Sequence, residues 1–276
     1  MVALAMIASS SITFADAAAE AAKPKTSLVQ AIPALEKLGF SLKTGLETEY
    51  VFRGYKIDDQ SLQTDACFNY ALTDNLGLYA GVWNNLPVHT YQNFANEVDF
   101  YAGVTASYKC LSFDAGYLYY WYPDGDVVYP GSSIINADGQ ENELKFGVSL
   151  DTSEWLGEYA VTPAATYYYN INYECSTLEG SLAYSAPISK WLFGGEYLSL
   201  DTKVYCGYRN FSKYAGVPNN NVDYMYAGFS SDFVVTITEY LKLSAGIRYS
   251  YIGLDTQKDL SRESNLWFGT SVGLAF

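Results

Sequence analysis

The sequence predicts an all-β protein, a transmembrane antiparallel up-and-down β-barrel of about twelve strands formed by residues 39–276. Three observations carry this prediction. Hydrophobicity alternates with a period of two from Phe40 to the C-terminus, as it does in strands with one apolar face. The composition is rich in aromatic residues, with Tyr 27, Phe 14 and Trp 5. Connections between the predicted strands alternate between short turns and long polar loops, which is typical of transmembrane barrels.

Composition and charge exclude several other classes of protein. Only 17% of the residues are charged and 17% are aromatic, which argues against intrinsic disorder. The sequence has no apolar run of about 18 residues, the length that a membrane-spanning helix requires. A formal net charge of −14 excludes nucleic acid as a partner, because phosphate binding requires a basic face.

The N-terminal residues predict export. A short apolar stretch from Val2 to Ile12 precedes Ala15-Asp16-Ala17, which has the form of a signal peptidase site. Residues 1–17 are therefore interpreted as a signal peptide. A signal peptide usually begins with basic residues, and no Lys or Arg precedes Val2, so its natural start is expected to lie upstream. Residues 18–38 are interpreted as a periplasmic lead-in to the barrel.

The first predicted strand, residues 40–53, shows most clearly how the two faces divide. Its apolar parity, predicted to face lipid, contains Phe40, Leu42, Leu46, Tyr50 and Phe52. Its charged parity contains Lys43, Glu47, Glu49 and Arg53. Since a Lys or Arg on the lipid face costs about 2–4 kcal/mol at the membrane midplane, the charged parity is predicted to face the lumen.

The predicted connections differ between the two ends of the barrel. The short turns are Thr73–Asn75, Lys109–Leu111, Ala186–Ser189 and Thr236–Tyr240, and Asp151–Glu158 at the same end is longer. The long polar ones are Leu86–Asn96, Pro123–Gln140, Arg209–Asn221 and Gly253–Ser264. Between Ala186–Ser189 and the Arg209 loop, the strand is predicted to begin near Glu196.

The same parity rule, applied to every strand, predicts the residues that line the lumen. They are Lys43, Glu47, Glu49, Arg53, Asp65, Glu97, Asp99, Asp114, Glu143, Lys145, Glu179, Asp201, Lys203, Asp232, Lys242 and Arg248. Acidic residues outnumber basic ones in this set, which predicts a mild preference for cations. Two alternatives stay open: a small open pore, or a plug in which opposite charges lock together across the bore. Tyr79, Trp83, Tyr120 and Trp267 also point inward and narrow the bore.

Four ordered segments resemble the TorF-type porin family. Thr48-Glu49-Tyr50-Val51-Phe52-Arg53-Gly54 is similar to that family's S-D-Y-V-F-R-G opening, and Leu78–Asn84 to its Y-x-G-x-W pattern. Residues 97–103 and 116–123 resemble its next two segments. The sequence departs from the family at Tyr55-Lys56-Ile57, where S/T-Q-T is expected. The resemblance implies an outer-membrane porin barrel.

The C-terminus resembles the recognition signal that the barrel-assembly machinery reads on outer-membrane barrels. The residues that carry this resemblance are Phe268, Val272, Leu274 and the terminal Phe276. The alternative is that these side chains only face lipid, and the two roles are compatible.

Enzymatic activity is not expected, and neither a cofactor nor a metal site is predicted. The only histidine, His89, falls in a long loop, and no cluster of zinc ligands is present. Glu47 and Glu49 are separated by about 7 Å on one face of the strand, but they are interpreted as part of a charged lining. The four cysteines share no predicted face and are left unpaired.

These observations together predict a porin-like channel in the outer membrane of a bacterium. Small hydrophilic solutes or ions would cross it by passive diffusion, and lipid would surround it. The alternative is a non-conducting barrel with a structural or surface-binding role.

Overall fold

The computed structural model describes residues 37–88, 97–123, 139–211, 222–254 and 263–276. The predicted signal peptide, nearly all of the predicted lead-in, His89 and the central parts of four predicted long loops lie outside these ranges. In the described residues, no helix is long and apolar enough to cross a membrane.

Twelve strands form a closed barrel in which each strand pairs antiparallel with its neighbours in the chain. They are β1 (Leu38–Glu47), β4 (Ser61–Thr73), β5 (Leu76–Pro87), β6 (Glu97–Tyr108), β7 (Leu111–Trp121), β8 (Gln140–Leu150), β9 (Val161–Asn170), β10 (Cys175–Ala186), β11 (Leu198–Phe211), β12 (Val222–Thr236), β13 (Leu241–Leu254) and β14 (Glu263–Ala275). Pairing of β1 with β14, from Ser41 opposite Ala275 to Glu47 opposite Gly269, closes the barrel. The predicted fold class is confirmed.

Two further strands lie outside this sheet. Strands β2 (Tyr50–Phe52) and β3 (Tyr55–Asp58) pair only with each other and form a two-stranded hairpin. Residues 48–60, which connect β1 to β4 through this hairpin, are called the inward hairpin below. The end of the barrel where they begin is called the hairpin end, and the opposite end, where Phe276 lies, is called the turn end.

The barrel is apolar outside and polar inside. Outward side chains such as Phe68, Leu78 and Phe146 are exposed, whereas their sequence neighbours of the other parity are buried. The buried set contains Asp114, Glu143 and many other ionisable or aromatic residues. This distribution is the reverse of that in a water-soluble protein, and it is the one that a bilayer-spanning barrel requires.

Short helices form two connections at the turn end. Residues 151–160 include an α-helical turn (Ser153–Leu156) followed by a 3-10 turn (Gly157–Tyr159). Between β10 and β11, a helix occupies Ile188–Phe193. The short turn predicted at Ala186–Ser189 is therefore wrong, whereas β11 begins at Leu198, close to the start predicted near Glu196. The cause is Ser189, whose buried hydroxyl hydrogen-bonds the backbone of Tyr197 and Leu198 and stabilises a longer connection.

Candidate functional site

The inward hairpin begins at Thr48, the last residue of this segment that is hydrogen-bonded to β14. The Thr48 N–H donates to the Phe268 carbonyl at 2.9 Å, and the Phe268 N–H donates back to the Thr48 hydroxyl at 3.0 Å. The chain then reverses at Arg53 and Gly54, whose φ angles are +47° and +92°. Two consecutive positive φ angles are the requirement of a type I′ hairpin turn. A Cβ on Gly54 would lie 2.8 Å from the Tyr226 Cβ, so only glycine fits here.

The prediction of one continuous strand over residues 40–53 is wrong. Tyr50, expected to face lipid, is 4% exposed inside the barrel, and Phe52 packs beside it. Glu49 and Arg53, predicted on the barrel wall, lie on the inward hairpin instead. The alternation of apolar and polar residues does not reveal the end of β1, because β2 is itself a strand and continues the same alternation after the break. The signal for the break is Arg53-Gly54, a turn dipeptide between Tyr50–Phe52 and Tyr55-Lys56-Ile57.

The tip of the inward hairpin is held by a buried ion pair. The Arg53 guanidinium donates two hydrogen bonds to the two oxygens of Glu143, at 2.7 and 2.6 Å. Both side chains are almost fully buried, at 5% and 2% exposure. The Tyr120 hydroxyl donates a third bond to Glu143 at 2.9 Å, and the Tyr168 ring lies 4.2 Å from the guanidinium carbon. Such bidentate pairs are strong and geometrically specific.

The two strands of the inward hairpin pack against different walls of the barrel. On one side the Tyr50 ring lies 5.6 Å from Trp83, and its hydroxyl donates to Glu97 at 2.9 Å. On the other side the Tyr55 ring lies 5.0 Å from Tyr224 at a nearly perpendicular angle. The inward hairpin therefore bridges two aromatic clusters. The first contains Tyr79, Trp83, Tyr101, Leu118 and Tyr120, and the second contains Tyr173, Cys175, Tyr224, Tyr226 and Ile252.

The base of the inward hairpin is held more loosely. Lys56 contacts Glu49 at 3.0 Å and Asp59 at 2.7 Å, and these side chains are partly exposed. Burial alone would lower the pKa of Lys56, but its hydrogen bonds to Asp59 and Glu49 raise it, so the ammonium stays charged. Burial raises the pKa of Asp58. The buried Arg53–Glu143 pair at the tip therefore holds the inward hairpin more strongly than the partly exposed ion pairs of Lys56 at its base.

Below the inward hairpin, two more ion-pair groups join strands that are adjacent or, for β1 and β13, separated by one strand. Lys145 contacts Asp114 at 2.7 Å, and the Tyr79 hydroxyl donates to the same carboxylate at 2.8 Å. Arg248 contacts both Glu47, at 3.2 Å, and Asp232, at 2.9 Å. These contacts fix opposite charges close to the wall.

The remaining residues predicted to line the lumen lie on inner faces of barrel strands. Lys43 is opposite Asp65 in the register of β1 and β4, and Asp65 accepts a hydrogen bond from Tyr101 at 2.7 Å. Glu179 accepts from Tyr226 at 2.8 Å and lies 3.7 Å from Lys203. The others are Glu97 and Asp99 on β6, Asp201 on β11 and Lys242 on β13. The predicted set thus divides between the wall and the inward hairpin.

Among the described residues of the barrel strands, sequence reasoning missed two buried charged residues of the lumen wall. Glu141 is 2% exposed and accepts a hydrogen bond from Asn170 at 2.7 Å. Arg209, also 2% exposed, donates to the Cys175 sulfur at 3.1 Å and lies 5.7 Å from the Phe52 ring centroid. Arg209 is the first residue of the predicted loop Arg209–Asn221, and Glu141 directly follows the predicted loop Pro123–Gln140, but the structure places them on β11 and β8. Each has the same parity as the inward-facing residues of its own strand, and extending the alternation by a few residues would have predicted that it faces the lumen.

Carboxylates concentrate where the inward hairpin meets β6 and β8. Glu97, Glu141 and Glu143 line a cavity of about 20 Å³, together with Tyr50 and Arg209 among others. Asp99, on the same face of β6, is buried and its Oδ1 has no hydrogen-bond partner in the described residues. The described ranges contain no group of three or more His, Cys, Asp or Glu arranged to hold a metal ion. All four cysteines fall within these ranges, and they are free thiols.

The size of the inward hairpin matches that of the bore. A strand spacing of about 4.7 Å and a tilt of about 40° give twelve strands a backbone diameter of roughly 24 Å. Inward side chains on opposite walls reduce this to a free bore of roughly 12 Å, and a two-stranded hairpin with its side chains is about 10 Å across. The inward hairpin therefore occupies most of the bore at its level. This obstruction is not the predicted locking of opposite charges across the bore, because the Lys145–Asp114 and Arg248–Asp232 pairs join adjacent strands of the wall.

A closed antiparallel barrel with an apolar exterior and an ionisable interior defines the class of transmembrane β-barrels. Residues 34–163 match the model of a family described as a bacterial protein of unknown function, Gcw_chp. This match covers slightly less than half of the chain. The resemblance to TorF-type porins is not among these findings and stays a prediction. No curated protein is significantly similar to the sequence.

Several solved structures are similar in fold. The NanC porin is 10% identical with a TM-score of 0.46, and the similarity covers 85% of this chain and 98% of that one. An outer membrane channel from Pseudomonas putida F1 is 11% identical with a TM-score of 0.49, covering 87% and 95%. LpxR from Salmonella typhimurium is 9% identical with a TM-score of 0.46, covering 86% and 99%.

Proposed function

We propose that the protein is an outer-membrane channel for small hydrophilic solutes or ions, with a mild cation preference, and that the inward hairpin closes it. The single observation that carries this proposal is an ionisable wall surrounding a separate hairpin that packs against that wall inside the barrel. A barrel with only a mechanical role could fill its interior with apolar side chains, at no cost in desolvated charge.

The exterior of the barrel supports the location in a membrane. Large apolar side chains stand exposed on the outer face of each half of the barrel, among them Phe100, Phe146, Leu178 and Phe233. In water such a surface would drive aggregation, whereas in lipid it is the stable arrangement. Closure of the sheet leaves no strand edge unpaired, which is the other requirement of a bilayer.

The balance of charge inside supports cation preference. Four carboxylates, Glu97, Asp99, Glu141 and Glu143, lie at the hairpin end, where only Arg53 and Arg209 oppose them among the described neighbours of the cavity. Undocking of the inward hairpin would take Arg53 away and leave the wall more acidic. A ring of carboxylates then favours cations.

The attachment of the inward hairpin supports closure that is reversible. In the described residues it is held by hydrogen bonds, one buried ion pair and ring contacts, and no covalent bond joins it to the wall. Its base connects to β1 and β4 through bends at residues 48–49 and 59–60, outside the β1–β4 register, so the hairpin can move as a unit while the barrel pairing stays intact.

A second candidate function rests on the same hairpin. If the inward hairpin never leaves the bore, the barrel does not conduct and acts as a structural or surface-binding protein. The observation that favours this candidate is the burial of Arg53 and Glu143, because a buried bidentate pair is costly to separate.

The C-terminal residues are part of the proposal. Phe268, Val272 and Phe276 are exposed on the outer face of the last strand, where Leu274 is half-buried. This arrangement supports recognition by the barrel-assembly machinery before insertion, and contact with lipid afterwards.

Single-channel recording of the refolded protein in a planar bilayer tests the proposal. With a KCl gradient across the bilayer, we expect brief discrete openings and a reversal potential of the sign given by cation preference. The variants Glu47→Gln and Asp99→Asn should each move that potential toward zero. Glu239→Gln, which removes the same charge from an exposed turn outside the barrel, is the matched control. Protein that folds and inserts but stays silent would exclude a channel and favour the second candidate.

A further inference from the structure

Two connections at the turn end expose large apolar side chains on a rigid support. They are residues 151–160, between β8 and β9, and residues 187–197, between β10 and β11, and together they are called the collar. Its exposed apolar side chains are Trp155, Leu156, Tyr159, Trp191, Leu192, Phe193 and Tyr197. Leu192 and Phe193 are 67% and 70% exposed. Such side chains are not needed to connect two strands.

Each half of the collar is held in shape by a buried hydroxyl. The Ser189 side chain is fully buried, donates to the Gly195 carbonyl at 2.8 Å and accepts from the backbone N–H groups of Tyr197 and Leu198. Thr152 donates to the Val161 carbonyl at 2.6 Å and accepts from the N–H of the same residue at 3.1 Å. The exposed aromatic side chains therefore project from fixed backbone.

The first turn of the collar is fixed further by Asp151. Its carboxylate accepts a hydrogen bond from the Ser153 N–H at 2.8 Å, and the bonds from Ser153 lower the pKa of this carboxyl. The helical turn that follows carries Trp155 and Leu156. The backbone of this helical turn is therefore fixed by hydrogen bonds within the collar, whether or not another surface contacts Trp155 and Leu156.

The two halves of the collar form one surface. The Tyr159 and Trp191 rings have centroids 6.4 Å apart, and Lys190 lies 3.6 Å from Glu158. Since an aromatic side chain has about 150–250 Å² of surface, half exposure presents about 100 Å², and the five aromatic side chains of the collar expose roughly 500 Å² before Leu156 and Leu192 are added. A patch of that size marks an interaction surface.

The position of the collar identifies what covers this surface. The Tyr184 hydroxyl, on the outward parity of β10, donates to the Glu158 carbonyl at 3.5 Å, so the collar adjoins the outer face of the barrel wall. Tyr108 and the stacked pair Tyr240 and Phe276 continue an exposed aromatic row at the same end. Trp and Tyr concentrate at the level of lipid headgroups, where their rings meet the acyl chains and their polar atoms meet water.

We infer that the collar inserts its aromatic face into the headgroup region of the periplasmic leaflet and anchors the β8–β11 side of the barrel there. The partner is a phospholipid surface, not a second protein. This inference rests on the membrane location given under the proposed function, and it adds a lipid-binding surface beyond the barrel strands.

Fluorine NMR of protein labelled with 5-fluorotryptophan, in lipid nanodiscs, tests the inference on the intact chain. Its five tryptophans include Trp155 and Trp191 on the collar, Trp121 on the outer face of β7, and the buried Trp83 and Trp267. Each signal is assigned by a Trp→Phe variant. Two paramagnetic probes are compared, a lipid with a nitroxide near its headgroup and a water-soluble gadolinium chelate.

We expect the lipid probe to broaden Trp155 and Trp191 several-fold more than the soluble chelate does. Trp121 should respond to the lipid probe, and Trp83 and Trp267 should respond weakly to both. If the chelate broadens Trp155 and Trp191 while the lipid probe reaches only Trp121, the barrel is in the membrane and the collar inference is overturned. If Trp121 is not reached by the lipid probe either, the membrane location itself fails, and the inference fails with it.

Discussion

Replacing Arg53 with Gln removes the tip attachment of the inward hairpin. The Glu143 carboxylate would then keep the hydrogen bond from Tyr120 but would stay buried without the bidentate pair to Arg53. Breaking a buried ion pair by removing one partner costs about 3–5 kcal/mol. Because the two groups are 5% and 2% exposed, little of this value is lost to solvent screening.

This cost falls on docking of the hairpin rather than on folding of the barrel. The inward hairpin lies in a separate sheet, so the pairing of all twelve barrel strands is unaffected by its release. A change of 3–5 kcal/mol corresponds to a shift of about 150- to 4,000-fold in the ratio of undocked to docked hairpin. The variant should therefore spend a far larger fraction of its time conducting.

Two assays measure this effect. Planar-bilayer recording gives the open fraction, and hydrogen–deuterium exchange gives the protection of amides in residues 48–60. Lys56→Gln is the control, since it breaks a partly exposed ion-pair group worth about 0–1 kcal/mol and should change neither readout strongly. In a double-mutant cycle, Arg53→Gln with Glu143→Gln should cost less than the sum of the two single changes. An Arg53→Gln protein that is folded but has wild-type open fraction and wild-type protection would refute the reasoning.

Two further predictions concern contacts inside the lumen. Tyr50→Phe keeps the ring against Trp83 but removes the hydroxyl that donates to Glu97. Docking of the inward hairpin should therefore weaken by about 1.5–3 kcal/mol, measured by the same hydrogen–deuterium exchange assay. Unchanged protection would show that this hydrogen bond contributes nothing to docking. Gly103→Ala places a Cβ against the Tyr79 ring and should lower the free energy of unfolding in urea by about 1–3 kcal/mol. Gly180→Ala is the control, because the space around its Cβ is open and its stability should not change. Equal urea midpoints of unfolding for the two variants would contradict the close packing of Gly103 against Tyr79.

The barrel fold was predictable from the sequence because the side chains of a strand point alternately to its two faces. Side chains alternate, and a charge on the lipid face is costly, so residues such as Lys145 and Arg248 reveal which parity points inward. The number of strands and their antiparallel pairing followed from that alternation and from the turns between them. Local pattern was sufficient because each strand pairs with its neighbour in sequence.

The inward hairpin was not predictable from the same rule. Its β2 strand continues the alternation of β1, so Tyr50 and Phe52 carry the pattern of lipid-facing residues although they pack against Trp83 and Tyr120 across the lumen. The pairing of Arg53 with Glu143 joins residues 90 positions apart, and no local pattern contains such a contact. The collar helix at Ile188–Phe193 was missed because it depends on a single buried hydroxyl, that of Ser189.

The most direct test of a channel closed by its own hairpin is to remove the hairpin and measure conductance. Glu47 and Ser61 are direct partners in the β1–β4 register, so an Asn-Gly turn can replace residues 48–60 and join the two strands as an ordinary hairpin. We predict that this variant inserts with the same barrel content and conducts continuously, with a several-fold larger single-channel conductance than the openings of the wild-type protein. A folded, inserted variant that is as silent as, or no more conductive than, the wild-type protein would contradict the account.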